Sequence, residues 1–252
     1  MLHRRAPETR VASSLSCIEA FVVLYYGGIL KFDPACPSWD VRDRFIISKG
    51  HGSISMYPIL ADLGFFPKEE LERISQAGSF LGSIPDPIIP GYESVNGSLG
   101  HGLGVGCGMA IGLEREKSSS NVFVMVGDGE LYEGSNWEAI MFAAHHKLDN
   151  LILIVDHNKM SMLDFCEKII AHGSLAEKFK VFGWAVKSVE GHDLEEIHEA
   201  LSVFRKERNG QPKVVIAHTV KGKGAGSLEN DRLSHIKSLT KAQIDQLLEG
   251  GK

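Results

Sequence analysis

Two short stretches carry the groups best suited to chemistry. Gly127-Asp128-Gly129-Glu130 follows the apolar run NVFVMV, and Asp156-His157-Asn158-Lys159-Met160 follows the apolar run LILIV. Each run has the length and content of a buried strand, and ligands of parallel sheets collect at the carboxyl ends of the strands. Asp128 then offers a carboxylate and Asn158 a side-chain carbonyl. Hard oxygen donors of this kind suit Mg²⁺ or Ca²⁺, ions that bridge protein to phosphate. Gly127 and Gly129 leave room for a diphosphate to approach the backbone, and a helix starting near Ser135 points its N-terminus at that charge. Gly-Asp-Gly alone is also ordinary turn chemistry. The second stretch, after another strand, is what favours a site.

The elements that must position these groups are legible around them. Ser13 to Leu30 is strongly apolar and helix-like; Ser48 to Gly64 starts with small residues and turns helical. Pro67 opens a charged helix, a fitting first-turn proline. Gly78 to Gly97 reads as a long Gly/Pro/Ser-rich loop, and loops of that length are mostly functional. Strands are expected over 121–126, 151–155, 185–189 and 213–217, alternating with helices over 136–147, 175–182 and 193–205. That alternation predicts an α/β fold: a central, mostly parallel sheet with helices on both faces. It runs as a single domain over 1–252, with a less regular tail from about Glu229 that ends in a helix fraying into Gly-Gly-Lys.

Composition closes off several classes. The 252 residues are 43% apolar and 23% charged, and 27 Lys plus Arg against 32 Asp plus Glu give a net charge of −5. Disordered and collagenous chains are excluded, and the mildly acidic balance argues against nucleic-acid binding. No apolar run is long enough to span a membrane, and the start MLHRRAPETR lacks the apolar region of a secretory leader. Cys17, Cys36, Cys107 and Cys166 form no C-x-x-C pair, so a reduced, cytoplasmic protein without structural zinc is expected.

The unit GDGELYEGSNWEAIMFAAHHKLDNLILIVDHNKM resembles the thiamine-diphosphate motif of thiamine enzymes, with His157 where the family has Asn or Asp before the ligand Asn158. SKGHGSISMYPILADLGFF, GSLGHGLGVGCGMAIGLE, VEGHDLEEIHEAL and AHTVKGKGAGSLEN are similar to transketolase segments. The chain therefore resembles the N-terminal, diphosphate-binding subunit of a split, two-component transketolase, starting later in the pattern than most members. The resemblance implies thiamine diphosphate and Mg²⁺ (or Ca²⁺) as cofactors. Asp128, Asn158 and the Met160 carbonyl would hold the metal, and Gly127, Gly129 and Glu130 would border the diphosphate. His51 and His235 would reach the diphosphate or the nascent alkoxide, while Gly97, Ser98 and Leu99 would line the cofactor near its pyrimidine. Glu133 and Glu138 would couple subunits, Glu133 with a catalytic share.

Other histidines (His145, His146, His172, His192, His198) are read as ordinary core or surface groups, and Lys221-Gly222-Lys223 either as a phosphate contact or as a solvated loop. A C-terminal, pyrimidine-binding partner is implied, in a heterotetramer of two copies of each chain, acting on small sugars. Departures fall at the substrate positions: Arg10 and Ile84 stand where the family has histidines, and His101 where it has Gln. Replacing an imidazole by an alkyl group removes polar readout of a sugar hydroxyl. Replacing one by guanidinium adds a fork for carboxylate or phosphate. The alternative activity is a related thiamine-diphosphate reaction on a 2-oxo acid, decarboxylation with acyl transfer, or on an unusual sugar.

Overall fold

A computed structural model of the chain describes residues 2–95, 97–229 and 231–250, so the expected fraying at Gly251 and Lys252 lies outside the described residues. In chain order the elements are α1 (Leu2–Arg5), α2 (Val11–Leu15), α3 (Ile18–Tyr26), β1 (Arg44–Ile47), α4 (Met56–Asp62), α5 (Gly102–Arg115), β2 (Val122–Gly127) and α6 (Gly134–His145). There follow β3 (Leu151–His157), α7 (Cys166–Ile169), α8 (Leu175–Val181), β4 (Ala185–Glu190), α9 (Leu194–Phe204), β5 (Lys213–His218) and α10 (Lys241–Gly250). The five strands make one sheet in the order β1-β2-β3-β5-β4, with every pairing parallel.

Alternation within the strands feeds two cores. Phe123, Met125, Ile152, Ile154, Val215 and Ala217 face α3, α4 and α9. Val124, Val126, Leu151, Leu153, Val155, Val214 and Ile216 face α5, α6 and α8. Strands buried on both faces read as continuous apolar runs rather than alternating ones, as NVFVMV and LILIV do. Sequence order breaks where β5 inserts between β3 and β4, and ligands bind at the carboxyl ends of strands near such a break.

Two local expectations change. The apolar stretch from Ser13 to Leu30 is not one helix: it breaks between α2 and α3, where Cys17 leaves helical geometry at φ −127°, ψ 14°. Ser16 Oγ turns inward to donate to Asp156 Oδ2 at 2.7 Å, and the Ser13 carbonyl accepts from Lys49 Nζ at 3.4 Å. Polar side-chain partners thus compete with the helical ladder. The charged segment after Pro67 is a 3-10 turn over Lys68–Arg73 rather than an α-helix, with Pro67 capping it. The tail is anchored: Leu239 and Ile244 are buried in a small cluster with Val11, Ala12, Ala225 and Leu228. His235 lies in the segment between Leu228 and Leu239, both held by that cluster.

Candidate functional site

A cleft of about 270 Å³ opens at the carboxyl ends of β2 and β3. It brings together His51, Leu99, Gly127, Asp128, Gly129, Glu130, Glu133, Asn158, Met160 and His235, all expected from the sequence. Lys49, Tyr132, Ser161, Met162, Ile169 and Lys221 join them. Lys221 is buried against the cleft and does not lie in a solvated loop. Lys49, inside the SKGH segment, carries no local signal of its place there.

Asp128 directly follows β2, is 1% exposed, and accepts hydrogen bonds from the Gly129 and Lys159 amides. Burial first, and then the negative charge of Asp156, push its carboxyl up to about 7. A carboxylate so placed is poised for a cation. Asn158 is held by two contacts: its Nδ2 donates to Asp156 Oδ2 at 3.0 Å and its Oδ1 accepts from the Met160 amide at 3.1 Å. A Cβ on Gly129 would stand 3.2 Å from Ser161 Cα and 3.7 Å from the Met160 carbonyl oxygen, so glycine is what lets the two loops close together. Among the described residues no group of three His, Cys, Asp or Glu side chains is placed to hold an ion. One carboxylate, one amide oxygen and one main-chain carbonyl are nevertheless donors that fit a hard divalent cation with phosphate and water completing its shell.

The cleft floor is a buried ion pair between Lys49, 1% exposed, and Asp156. Burial opposes the Asp156 charge, yet Lys49 and hydrogen bonds from Thr219 and Ser16 hold its carboxyl at about 2. Burial likewise opposes the Lys49 ammonium, and Asp156 more than offsets it. Among the described residues Lys221 has no such partner: its Nζ donates to Ser161 O at 3.3 Å and to His235 Nδ1 at 3.1 Å. Burial and then the Lys49 charge push it down to about 8.

The rings of His51 and His235 meet edge-on, with centroids 4.8 Å apart. His51 is pushed well below its ordinary value by burial, then by Lys49, His235 and Lys221. His235 falls to about 3 through burial, then Lys221, Arg10 and Lys49. Both rings are neutral at pH 7. Because Lys221 donates to His235 Nδ1, that ring carries its proton on Nε2 and keeps a donor free.

Glu130 braces the loops, accepting from Ser48 Oγ, from the Gly100 amide at 3.0 Å and from the Gly127 amide at 3.2 Å. Arg10 caps α2 close enough to His235 for its charge to act on the ring. Ile84, 53% exposed, covers Gly97: a Cβ there would meet its side chain at 3.5 Å. Gly97 and Ser98 are exposed. His101 and Glu138 fall elsewhere, in a shallow groove shared by α5 and α6 with Val105 and Phe142.

A family model described as "Transketolase, thiamine diphosphate binding domain" matches residues 10–250. The chain is 37% identical over 246 residues to the 6-deoxy-6-sulfo-D-fructose transketolase subunit SqwG of Clostridium sp. (strain MSTE9), covering 96% of this chain and 89% of that protein. It is 36% identical over 244 residues to one subunit of the apulose-4-phosphate transketolase of Phocaeicola vulgatus, covering 96% of this chain and 85% of that one. The crystal structure of Campylobacter jejuni transketolase superposes with a TM-score of 0.87 at 30% identity, over 99% of this chain. This chain spans 42% of that larger protein. The cleft at the strand ends, the parallel sheet and these relatives agree: the chain belongs to the transketolase family, as its thiamine diphosphate binding domain.

Proposed function

We propose that the chain is the diphosphate-side subunit of a two-component transketolase, a transferase that moves a two-carbon ketol unit from a ketose, often phosphorylated, to an aldose. The observation that carries this is the cleft itself, where hard oxygen donors and buried cations converge on one opening. Asp128, Asn158 and the Met160 carbonyl would hold Mg²⁺ or Ca²⁺, and Lys221, His51 and the His235 Nε2–H would bind the diphosphate and a developing alkoxide. Bound thiamine diphosphate supplies the nucleophilic carbon and electron sink of the transfer. Neutral His51 and His235 would donate hydrogen bonds without adding charge, and Leu99 and Met162 line the opening with apolar side chains. Glu133, exposed at the cleft edge, is placed to meet a partner's groups.

The name "subunit" carried by two relatives of similar length supports a partner chain; in this reading the partner is the C-terminal, pyrimidine-binding half, in a heterotetramer with two copies of each chain. The test mixes this chain with a C-terminal transketolase subunit, thiamine diphosphate and Mg²⁺, using xylulose 5-phosphate as donor and ribose 5-phosphate as acceptor. Turnover in the mixture and in neither chain alone is expected. Equal turnover by this chain alone refutes the two-component reading.

Arg10 beside His235, and Ile84 over Gly97, favour a second reading in which the sugar carries an anionic group or is replaced by a 2-oxo acid. Arg10→His is expected to shift donor or acceptor preference in the assembled enzyme. An unchanged substrate profile places Arg10 outside the substrate's reach.

A further inference from the structure

The ends of β3 and β5 carry a second cluster that the cleft leaves unused. His157 and His218 are register partners on neighbouring parallel strands. Both therefore project from one face of the sheet, opposite to Asp156. Their Nδ1 atoms stand 3.2 Å apart, with ring centroids at 5.1 Å and planes inclined by 53°. His218 is exposed and His157 half-buried, so solvent ions can reach them. Glu190, the register partner of His218 on β4, sets a carboxylate in the same row, while Lys159 beside the pair is exposed.

The spacing matches a chelate. Two imidazole nitrogens at about 2.0–2.1 Å from one zinc ion stand roughly 3.3 Å apart at a tetrahedral angle, and roughly 2.9 Å apart at a right angle. When both rings are neutral, the contact between the two Nδ1 atoms is a hydrogen bond with one proton between them. Moving that proton to the Nε2 of its own ring leaves both lone pairs free with no net proton release.

His157 also lines an open groove with Phe165, Cys166 and His172. That groove leaves room beside His157 for the water ligands of a bound ion.

We propose that His157 and His218 form a chelating site for a borderline divalent ion of the Zn²⁺ or Ni²⁺ type, distinct from the hard-cation donors at Asp128 and Asn158. Two protein ligands serve it and water completes the shell. The test titrates the full chain, free of thiamine diphosphate, with Zn²⁺ alone by calorimetry, beside His157→Gln, His218→Gln and Asp128→Asn. One equivalent is expected to bind, at least tenfold more weakly in each histidine variant and unchanged in Asp128→Asn. His218→Gln, altering an exposed side chain, decides the matter if His157→Gln disturbs the strand end. No stoichiometric binding, wild-type affinity in both histidine variants, or an equal loss in Asp128→Asn overturns the proposal.

Discussion

Lys221→Met separates a binding role from a structural one, because the two predict opposite changes. Lys221 is 3% exposed and its pKa drops from 10.5 to about 8. A tenfold change in proton affinity is worth about 1.4 kcal/mol, so keeping this ammonium charged in the empty cleft costs about 3 kcal/mol. Methionine has similar length and no charge. It forfeits two hydrogen bonds, to Ser161 O and His235 Nδ1, worth about 1 kcal/mol each. The empty variant should gain about 1 kcal/mol, a rise in Tm of about 2–4 °C at pH 7.

Thiamine diphosphate with Mg²⁺ should bind more weakly in that variant, by about tenfold or more, since a charge-assisted hydrogen bond is worth about 1.5–3 kcal/mol. The pH dependence has a definite sign. A lysine whose folded pKa is lowered weakens the fold below that pKa, and the penalty fades as pH rises from about 8 towards 10.5. The variant's lead in Tm therefore shrinks across that window and reverses, wild type melting higher once the penalty is gone because it keeps its two hydrogen bonds. Wild-type affinity for the diphosphate falls as pH rises past 8, and the variant's stays flat. Differential scanning calorimetry and titration calorimetry read both. A variant that melts lower at pH 7 and binds the cofactor as tightly as wild type refutes the reasoning.

Asp156→Asn leaves the Lys49 ammonium buried without its counter-charge. Breaking such a pair costs about 3–5 kcal/mol, so thermal melting should show a Tm lower by about 6 °C or more; a shift under about 2 °C would mean that Lys49 finds another partner. Gly129→Ala places a methyl 3.2 Å from Ser161 Cα and presses on the loop bearing the Met160 carbonyl. Titration should show weaker Mg²⁺-dependent cofactor binding, with stability lower by about 1–3 kcal/mol; unaltered affinity would remove that loop from the metal site.

Much of this architecture is written locally. Strands β2, β3 and β5 are apolar runs, β4 is the mixed edge strand AVKSVE, helices stand between them, and the groups at the carboxyl ends of β2 and β3 follow within one or two residues. β1 escaped because RFII is short and stands in irregular chain. It becomes a strand through tertiary pairing, the Arg44 amide donating to Asn121 O at 2.9 Å and Asp43 accepting from the Asn121 amide at 2.7 Å. The interruption at Ser16 and Cys17 was hidden for the same reason, since its cause is an aspartate far along the chain. Lys49 and Lys221 are of a residue type that composition assigns to the surface; burial beside Asp156 and His235 arises once the sheet brings four loops together. The proximity of His157 to His218 is set by strand register, which periodicity does not specify.

The place of β1 in the sheet bears on how the chain folds. Its partner β2 begins at Val122, beyond α4, α5 and the long loop, whereas β4 and β5 are joined through α9 alone. Closing the longer loop carries the larger entropic cost, and contacts distant in sequence form slowly. Lys49 lies just past β1, so it reaches Asp156 when that edge strand docks. A sheet without β1 would leave Asp156 buried without that counter-ion, which is unfavourable. One ion pair thereby ties this edge strand to the rest of the sheet and disfavours a partly assembled cleft.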